Sequence, residues 1–114
     1  MINANELRIG NWVKHLGLDV RIEAHGIAMF EDGDFSCDPI PLTPEILEKS
    51  GFKKTNVFDY VKKPILLHDM TDTSFSHFET YWGKQEFFLN TVEYLHQLQN
   101  LYFALTGNEL KITL

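Results

Sequence analysis

The sequence is poor in cysteine, since Cys37 is the single one among 114 residues. One thiol cannot form an internal disulfide, and it cannot build a metal site of the multi-thiolate kind. No histidine stands at a telling spacing from Cys37, and a buried, inert thiol is the common state of such a residue. This cysteine usage fits a reducing compartment, and the expected localisation is cytoplasmic.

Basic side chains are few: the sequence has ten Lys and Arg and sixteen Asp and Glu, so its formal net charge is −6. Binding to a phosphate backbone needs a broad cationic face, since its affinity comes largely from counterion release by Lys and Arg. Nucleic acid is therefore not an expected partner. One basic segment contains Lys49, Lys53, Lys54, Lys62 and Lys63, and such runs are usually a solvated face.

Long apolar runs are also absent. The start, MINANELRIGNWV, has no basic stretch followed by an apolar one of signal-peptide length, and no segment approaches the roughly 20 apolar residues of a membrane span. No membrane association is expected. Hydrophobic residues nevertheless make up 44% of the chain, which excludes a disordered protein. The length fits one domain over residues 1–114, with 1–40 and 41–114 as alternative subdomains.

Motifs for catalysis and cofactor binding are missing. There is no glycine-rich phosphate loop, no Gly-x-Ser-x-Gly elbow and no Walker-type lysine. The acidic run EDGDFSCD lacks the alternating ligands and the distal glutamate of a calcium loop, and a hairpin turn explains it better. We therefore predict no cofactor and no catalytic residue, and the balance of the sequence is against an enzyme.

The first 38 residues have the pattern of short strands separated by turns. NWVKHL, DVRIEA, IAMFE and DFSCD are strand-like, with breaks at Gly17, His25-Gly26 and Asp32-Gly33. Asp-Gly favours the positive φ angles of a two-residue hairpin turn. Four short strands need closure or a cover, because a lone sheet leaves its edges exposed. We predict an antiparallel N-terminal meander that curls toward a small barrel.

The middle of the chain predicts a short helix and a second antiparallel sheet. PIPLTP contains three prolines and forms a joint, after which Thr43 is placed to cap the helix PEILEKS, with Pro44 in its first position. Strand-like stretches follow between residues 56 and 90, with a hairpin turn at Gly83. The predicted class is α+β, with this second sheet covered by a C-terminal helix.

Residues 94–110, YLHQLQNLYFALTGNEL, have the periodicity of an amphipathic helix. Its apolar stripe, which we predict to be core with Leu98 and Leu105 in it, consists of Tyr94, Leu95, Leu98, Leu101, Tyr102 and Leu105. Asn90 or Thr91 is in place to cap the start of the helix, and Gly107 is in place for a left-handed cap at its end. The following ELKITL alternates like a closing strand.

A polar and aromatic flank borders the apolar stripe of this helix. His96, Gln99 and Phe103 lie together on it, whereas Gln97 and Asn100 are predicted to point away. If the flank is a docking surface, these first three residues are the binding candidates. Amides that border a core usually bond to backbone groups of the fold, and this structural interpretation is the favoured one.

Potential metal ligands are gathered in HDMTDTSFSHFE, which contains His68, Asp69, Asp72, His77 and Glu79. His77 and Glu79 would share a strand face. The spacing matches neither a zinc site nor a two-histidine-one-carboxylate site. No metal is therefore predicted, and His68, His77 and Glu79 remain as the candidates for one.

Three segments of the chain point to a group of known sequences: ELRIGNWV, PIPLTPEILEKSGF and YLHQLQNLYFALTGNEL. In these segments, which come in the same order and bracket nearly the whole chain, it resembles a group of short uncharacterised proteins of Bacteroidales bacteria and their phages and mobile elements. The last segment is the specific one. The resemblance implies a phage or mobile-element context, and it carries over no site residue because the group has no known activity.

Small size, acidic charge and missing catalytic motifs favour a non-enzymatic module that binds another protein, with a host factor as the partner if the context is a phage. Two alternatives stay open. One is a small metal-dependent hydrolase that uses His68, His77 and nearby carboxylates. The other is sequestration of a small anion or nucleotide by the basic segment 49–63. Neither the partner nor the oligomeric state follows from the sequence.

Overall fold

The computed structural model describes residues 6–23, 37–70, 77–83, 87–112 and 114. The class is α+β, as the sequence predicts, with a two-stranded and a five-stranded antiparallel sheet. The elements are β1 (Trp12–His15), β2 (Leu18–Arg21), α1 (Pro44–Lys49), β3 (Lys53–Lys54), β4 (Asp59–Lys62), β5 (Ile65–Asp69), β6 (Phe78–Trp82), β7 (Phe87–Val92) and α2 (Leu95–Thr106). Over these ranges, neither helix is long and apolar enough to cross a membrane.

The β1–β2 hairpin turns at Leu16 and Gly17. Their φ angles are 53° and 79°, so both central residues have the positive φ of the turn that suits the twist of a hairpin. Asp38 lies beside this sheet and exchanges two backbone hydrogen bonds of 2.8 Å with Lys14 of β1. The N-terminal sheet therefore begins as the sequence predicts.

The predicted curl toward a small barrel depends on four strands, of which the structure describes two. IAMFE and the Asp32-Gly33 turn lie outside the described residues, and of DFSCD only Cys37 and Asp38 are described. The described strands form two separate sheets and not one.

The short helix α1 starts where the sequence predicts. Thr43 is the N-cap, since its Oγ1 accepts a hydrogen bond from the N–H of Ile46 at 3.2 Å. Pro44 occupies the first turn, where a missing N–H is harmless. Gly51 follows the helix with a φ of 91°, a left-handed conformation that glycine adopts without strain.

The five-stranded sheet is a meander in which each strand pairs with the next along the chain. Side chains alternate between its two sides. The inner face packs with Leu47 of α1 and Leu95 and Leu98 of α2 into one core. Its fully buried members from the sheet include Tyr60, Ile65, Leu67 and Phe78. We call the opposite side the outer face; it carries Asp59, Val61, Leu66, His68, Glu79, Tyr81 and Phe88.

The start of α2 differs from the prediction. Asn90 and Thr91 do not cap the helix, because pairing with β6 holds both inside β7. The N-cap is Tyr94. Gln97 Oε1 accepts hydrogen bonds from the N–H of Tyr94 at 3.1 Å and from the N–H of Glu93 at 2.8 Å. An amide from inside the helix thus satisfies the N–H groups of the N-cap residue and of the residue before it.

The end of α2 agrees with the prediction. Gly107 has a φ of 73°, and its N–H donates to the carbonyl of Phe103 at 2.8 Å, which closes the last turn. Leu95 and Leu98 are fully buried in the core, as predicted for Leu98, whereas Leu101, Tyr102 and Leu105 are partly buried and pack against it.

The prediction of a closing strand at ELKITL is wrong. The described residues 109–112 and 114 belong to no strand. Leu110 is 3% exposed within the main core, and Ile112 and Leu114 pack against that core. Apolar residues alternate here because every second side chain of an irregular segment packs on the core. The resulting sequence pattern is the same as that of a strand.

Candidate functional site

The flank of α2 faces the described residues 6–11 that precede β1, which we call the N-terminal segment. His96 and Gln99 are each 1% exposed, whereas Phe103 is 40% exposed. Gln99 uses both ends of its amide: Oε1 accepts from the N–H of Trp12 at 2.8 Å, and Nε2 donates to the carbonyl of Gly10 at 3.0 Å. Since both partners are backbone groups at the start of β1, Gln99 ties the hairpin to the helix.

Asn100 takes part in the same contact. Its Oδ1 accepts from Arg8 Nε and Asn11 Nδ2, both at 2.9 Å, and its Nδ2 donates to the carbonyl of Glu6 at 2.7 Å. The prediction that Asn100 points away is wrong, because the N-terminal segment folds over this side of the helix. Gln97, as described above, bonds to the helix start.

Arg8 contacts three parts of the chain, and no local sequence motif predicts these contacts. Its Nη1 pairs with Glu109 Oε1 at 2.6 Å, and its Nη2 donates to the carbonyl of Gln99 at 3.2 Å. Its Cζ lies 4.4 Å from the centroid of the Phe103 ring, in a cation–π contact. These partners are 91 and 101 residues away along the chain for Gln99 and Glu109, so sequence periodicity gives no signal for them.

His96 is buried without a hydrogen bond of ordinary geometry. Its Nε2 lies 3.5 Å from Glu6 Oε1, and its two ring nitrogens have no other hydrogen-bond partner in the described ranges. The ring stacks on Tyr94 with centroids 6.1 Å apart. Burial disfavours the charged ring and lowers the pKa of His96 from its ordinary value, while the carboxylate of Glu6 partly opposes this.

The metal candidates are only partly brought together. His68 on β5 is paired directly with Glu79 on β6, so these two side chains are neighbours on the outer face. His77 precedes β6, and its carbonyl accepts a hydrogen bond from the N–H of Met70. Asp72 lies outside the described residues. Within the part of the chain that is described, no three His, Cys, Asp or Glu side chains are grouped so that they could hold a metal ion.

His68 has a partner on β4 that its sequence context does not indicate. Its Nδ1 lies 2.7 Å from Asp59 Oδ1. Burial raises the pKa of Asp59, but hydrogen bonds from Asn56 and His68 and the charge of His68 outweigh it and lower that pKa. The Tyr81 hydroxyl donates to Glu79 Oε1 at 3.2 Å. A shallow outer-face cleft is lined by Asp59, Leu66, His68, Glu79 and Tyr81.

The lysines of the basic segment are spread over several surfaces. Lys49 pairs with Glu45 one turn earlier in α1, at 3.3 Å. Lys53 and Lys54 are consecutive in β3 and therefore point to opposite sides of the sheet. Lys62 lines a different cleft together with residues that follow α2, which we call the C-terminal segment.

Large aromatic rings are exposed at one end of the β6–β7 hairpin. Trp82, Phe87 and Phe88 are 37%, 60% and 56% exposed. Tyr81 pairs with Phe88 on the outer face, where their rings meet edge to face with centroids 5.7 Å apart. Trp82 pairs with Phe87, which alternation places on the other side of the sheet. We call Tyr81, Trp82, Phe87 and Phe88 the aromatic end.

The aromatic end is missing from the candidates that the sequence suggests. Its signal in the sequence is YWGKQEFF, in which aromatic pairs flank a turn at Gly83. Alternation shows that these rings occupy both sides of a hairpin, but it does not show which side another element covers. Exposure, which depends on the whole fold, is what distinguishes this group.

The segments ELRIGNWV, PIPLTPEILEKSGF and YLHQLQNLYFALTGNEL meet around α2. ELRIGNWV contributes the N-terminal side of the contact with Gln99 and Asn100. PIPLTPEILEKSGF reaches the helix start, where the carbonyl of Ile40 accepts from the N–H of Leu95 at 2.8 Å. The contacts between the three segments therefore belong to the internal packing of the protein.

Comparisons with known proteins identify no relative. No family model, curated protein or solved structure matches this chain. Its function is therefore inferred from the α2 flank, the outer-face cleft and the aromatic end.

Proposed function

We propose that the protein is a small non-enzymatic module that docks another protein through the aromatic end. The observation that supports this proposal is the exposure of Trp82, Phe87 and Phe88, which lie together at one hairpin end. Apolar surface left in water is unfavourable by about 25 cal/mol per Å². Aromatic residues are enriched at the centres of protein interfaces, where they supply much of the binding energy.

The α2 flank offers less to a partner. Of its three candidates, His96 and Gln99 are 1% exposed, so a docking protein would contact mainly Phe103 and the Arg8 guanidinium above its ring. The amide of Gln99 is already bonded at both ends. In this proposal the flank holds the N-terminal segment in place and the aromatic end meets the partner.

The proposed setting is the cytoplasm of a cell that carries a phage or mobile element, with a host protein as the partner. The resemblance of three segments to phage and mobile-element sequences supports the context. Cys37 is buried, and its burial, followed by the nearby Asp38 carboxylate, raises the pKa of the thiol. A protonated thiol is unreactive, which suits a protein without disulfides. Fractionation of native cells should recover the chain with cytoplasmic proteins.

Affinity capture from the native cell tests the docking proposal. Phe87→Ser combined with Phe88→Ser removes two exposed rings from the aromatic end. Leu16→Ser combined with Leu18→Ser is the matched control, because these side chains are 87% and 68% exposed on the β1–β2 hairpin. A partner identified by mass spectrometry should remain with the wild type and the leucine variant and be lost from the phenylalanine variant. Equal retention by both variants would contradict the proposal.

A second candidate function is a small hydrolase, and the 2.7 Å contact between Asp59 Oδ1 and His68 Nδ1 favours it. A carboxylate at Nδ1 fixes the tautomer of the ring and makes Nε2 available as a base. Glu79 is the neighbouring carboxylate on β6. Ion content of the purified protein and hydrolysis of p-nitrophenyl esters test this candidate. Activity that Asp59→Asn and His68→Gln both remove would support it, and an inactive, ion-free wild type would contradict it.

A further inference from the structure

A cleft lies between the β1–β2 hairpin, α2 and the C-terminal segment. Its lining includes Gly10, Trp12, Arg21, Gln99, Glu109 and Lys111. These residues come from parts of the chain that meet only in the folded protein. Small ligands commonly bind in such places, between elements, where apolar walls carry a few charged or polar groups.

Positively charged side chains outnumber negatively charged ones in the lining of this cleft. Glu109 is its acidic residue, and Arg8 already pairs with it, at 2.6 Å and 3.4 Å to its two carboxylate oxygens. In the described ranges, neither Arg21 nor Lys111 has an acidic partner. Two cations that form no ion pair within the described part of the chain therefore line one cleft of a protein whose net charge is −6.

Gly10 lies between two of the charged groups. Its φ is 97°, and a Cβ at this position would lie 3.8 Å from Arg21 Nη2 and from the carboxyl group of Glu109. The carbonyl of Gly10 is held by Gln99 Nε2. Because the amide of Gln99 is bonded at both ends, the groups in the lining that are left to contact an anionic ligand are Arg21 and Lys111.

Apolar side chains complete the lining. Trp12 is half-buried and packs against the main core, and Ile112 lies on the C-terminal side of the cleft. An indole ring offers a flat apolar surface against which another ring stacks. A guanidinium presents forked donors that match the two oxygens of a carboxylate. Trp12 and Arg21 thus offer complementary contacts for an apolar body and an acidic group.

We propose that this cleft binds a small organic anion with an aromatic body, whose acidic group contacts Arg21 and Lys111 and whose ring lies against Trp12. The site is separate from the aromatic end and from the outer-face cleft, and it does not depend on the docking function. Its residues also differ from the basic segment 49–63. An aryl carboxylate is the ligand class that matches this combination of one aromatic wall and two cations that form no ion pair among the described residues.

A matched pair of ligands, 2-naphthoate and 2-naphthamide, tests the proposal on the full chain. The two share a ring system and differ in charge. In an NMR titration, 2-naphthoate should shift the amide signal of Gly10 and the indole signal of Trp12. We expect 2-naphthamide to bind about tenfold more weakly, because it cannot form charge-assisted hydrogen bonds with Arg21 and Lys111.

Variants of exposed cations complete the test. Arg21→Gln and Lys111→Gln should each weaken 2-naphthoate binding by about tenfold, since each removes one charge-assisted contact. Lys14→Gln is the control, because the Lys14 side chain is 43% exposed and pairs with Asp19 at 3.2 Å, and it should leave binding unchanged. Equal binding of the acid and the amide, shifts at the Trp82 indole in place of Trp12, or no shift at all would each overturn the proposal.

Discussion

The α2 flank and the aromatic end both contain aromatic residues, but the rest of the fold surrounds them differently. On the flank, Gln99 and Asn100 are bonded to the N-terminal segment, and His96 is buried beneath it. At the aromatic end, Phe87 and Phe88 remain more than half exposed. A mixture of polar and aromatic residues does not by itself identify a docking surface. The distinguishing feature is whether another part of the same chain supplies their partners.

The largest effect on stability should come from the main core. Leu98 is fully buried, so Leu98→Ala leaves a cavity and should lower the free energy of unfolding by about 2 to 5 kcal/mol. Denaturant unfolding measures this loss. Leu16→Ala is the control, because that side chain is 87% exposed and its loss should change stability by less than about 0.5 kcal/mol. Similar losses in both variants would show that Leu98 is not core.

The flank should give the next largest effect. Gln99→Leu keeps the volume of the side chain but leaves the carbonyl of Gly10 and the N–H of Trp12 without their partner. The expected loss is about 1 to 3 kcal/mol, the cost of an unsatisfied buried polar group. Asn108→Ala, at an exposed amide, should have little effect. If the two variants unfold alike, Gln99 does not tie the hairpin to the helix.

His96 should give a smaller, pH-dependent effect. Its pKa is lowered by burial from the ordinary 6.5, so the unfolded chain takes up a proton at a higher pH than the folded protein does. Stability from this group is therefore present above pH 6.5 and is lost as the pH falls from 6.5 toward the lowered folded-state pKa. Asp59, whose pKa is lowered from 3.8, loses its contribution only in a more acidic range.

Urea unfolding on either side of pH 6.5 measures the contribution of His96. His96→Leu, which cannot take up a proton, should flatten the dependence of stability on pH in this range. The wild type and the variant would have the same slope if His96 were protonated equally well in the folded and unfolded states.

Local signals in the sequence predict much of the fold. Thr43 and Pro44 start α1, and Gly107 ends α2, because caps depend on the residues next to them. Two predictions of secondary structure fail where a distant contact decides it. Pairing with β6 holds Asn90 and Thr91 in a strand, and packing on the core shapes the C-terminal segment without a partner strand.

The candidate sites were harder to predict than the fold, for the same physical reason. The sequence identifies His68 and Gln99 as chemically notable. It gives no sign that Asp59 reaches His68 from the next strand, or that Gln99 meets backbone groups 87 and 89 residues away. Exposure of the aromatic end is likewise a property of the folded chain, because it depends on which faces the helices cover.

The smallest effect on stability, and the largest on binding, should come from the aromatic end. Phe87 and Phe88 are exposed, so changing both to serine should leave the melting temperature nearly unchanged. His96→Ala combined with Gln99→Ala on the flank should lower the melting temperature, because both side chains are buried. These two double variants therefore separate docking from folding.

The affinity of the captured partner for these two double variants, measured at a temperature at which both are folded, tests the central claim most directly. Docking through the aromatic end predicts that the Phe87 and Phe88 variant loses the partner and that the His96 and Gln99 variant binds it as the wild type does. Binding that survives loss of both phenylalanines but disappears with the flank residues would contradict the claim and identify the α2 flank as the docking surface.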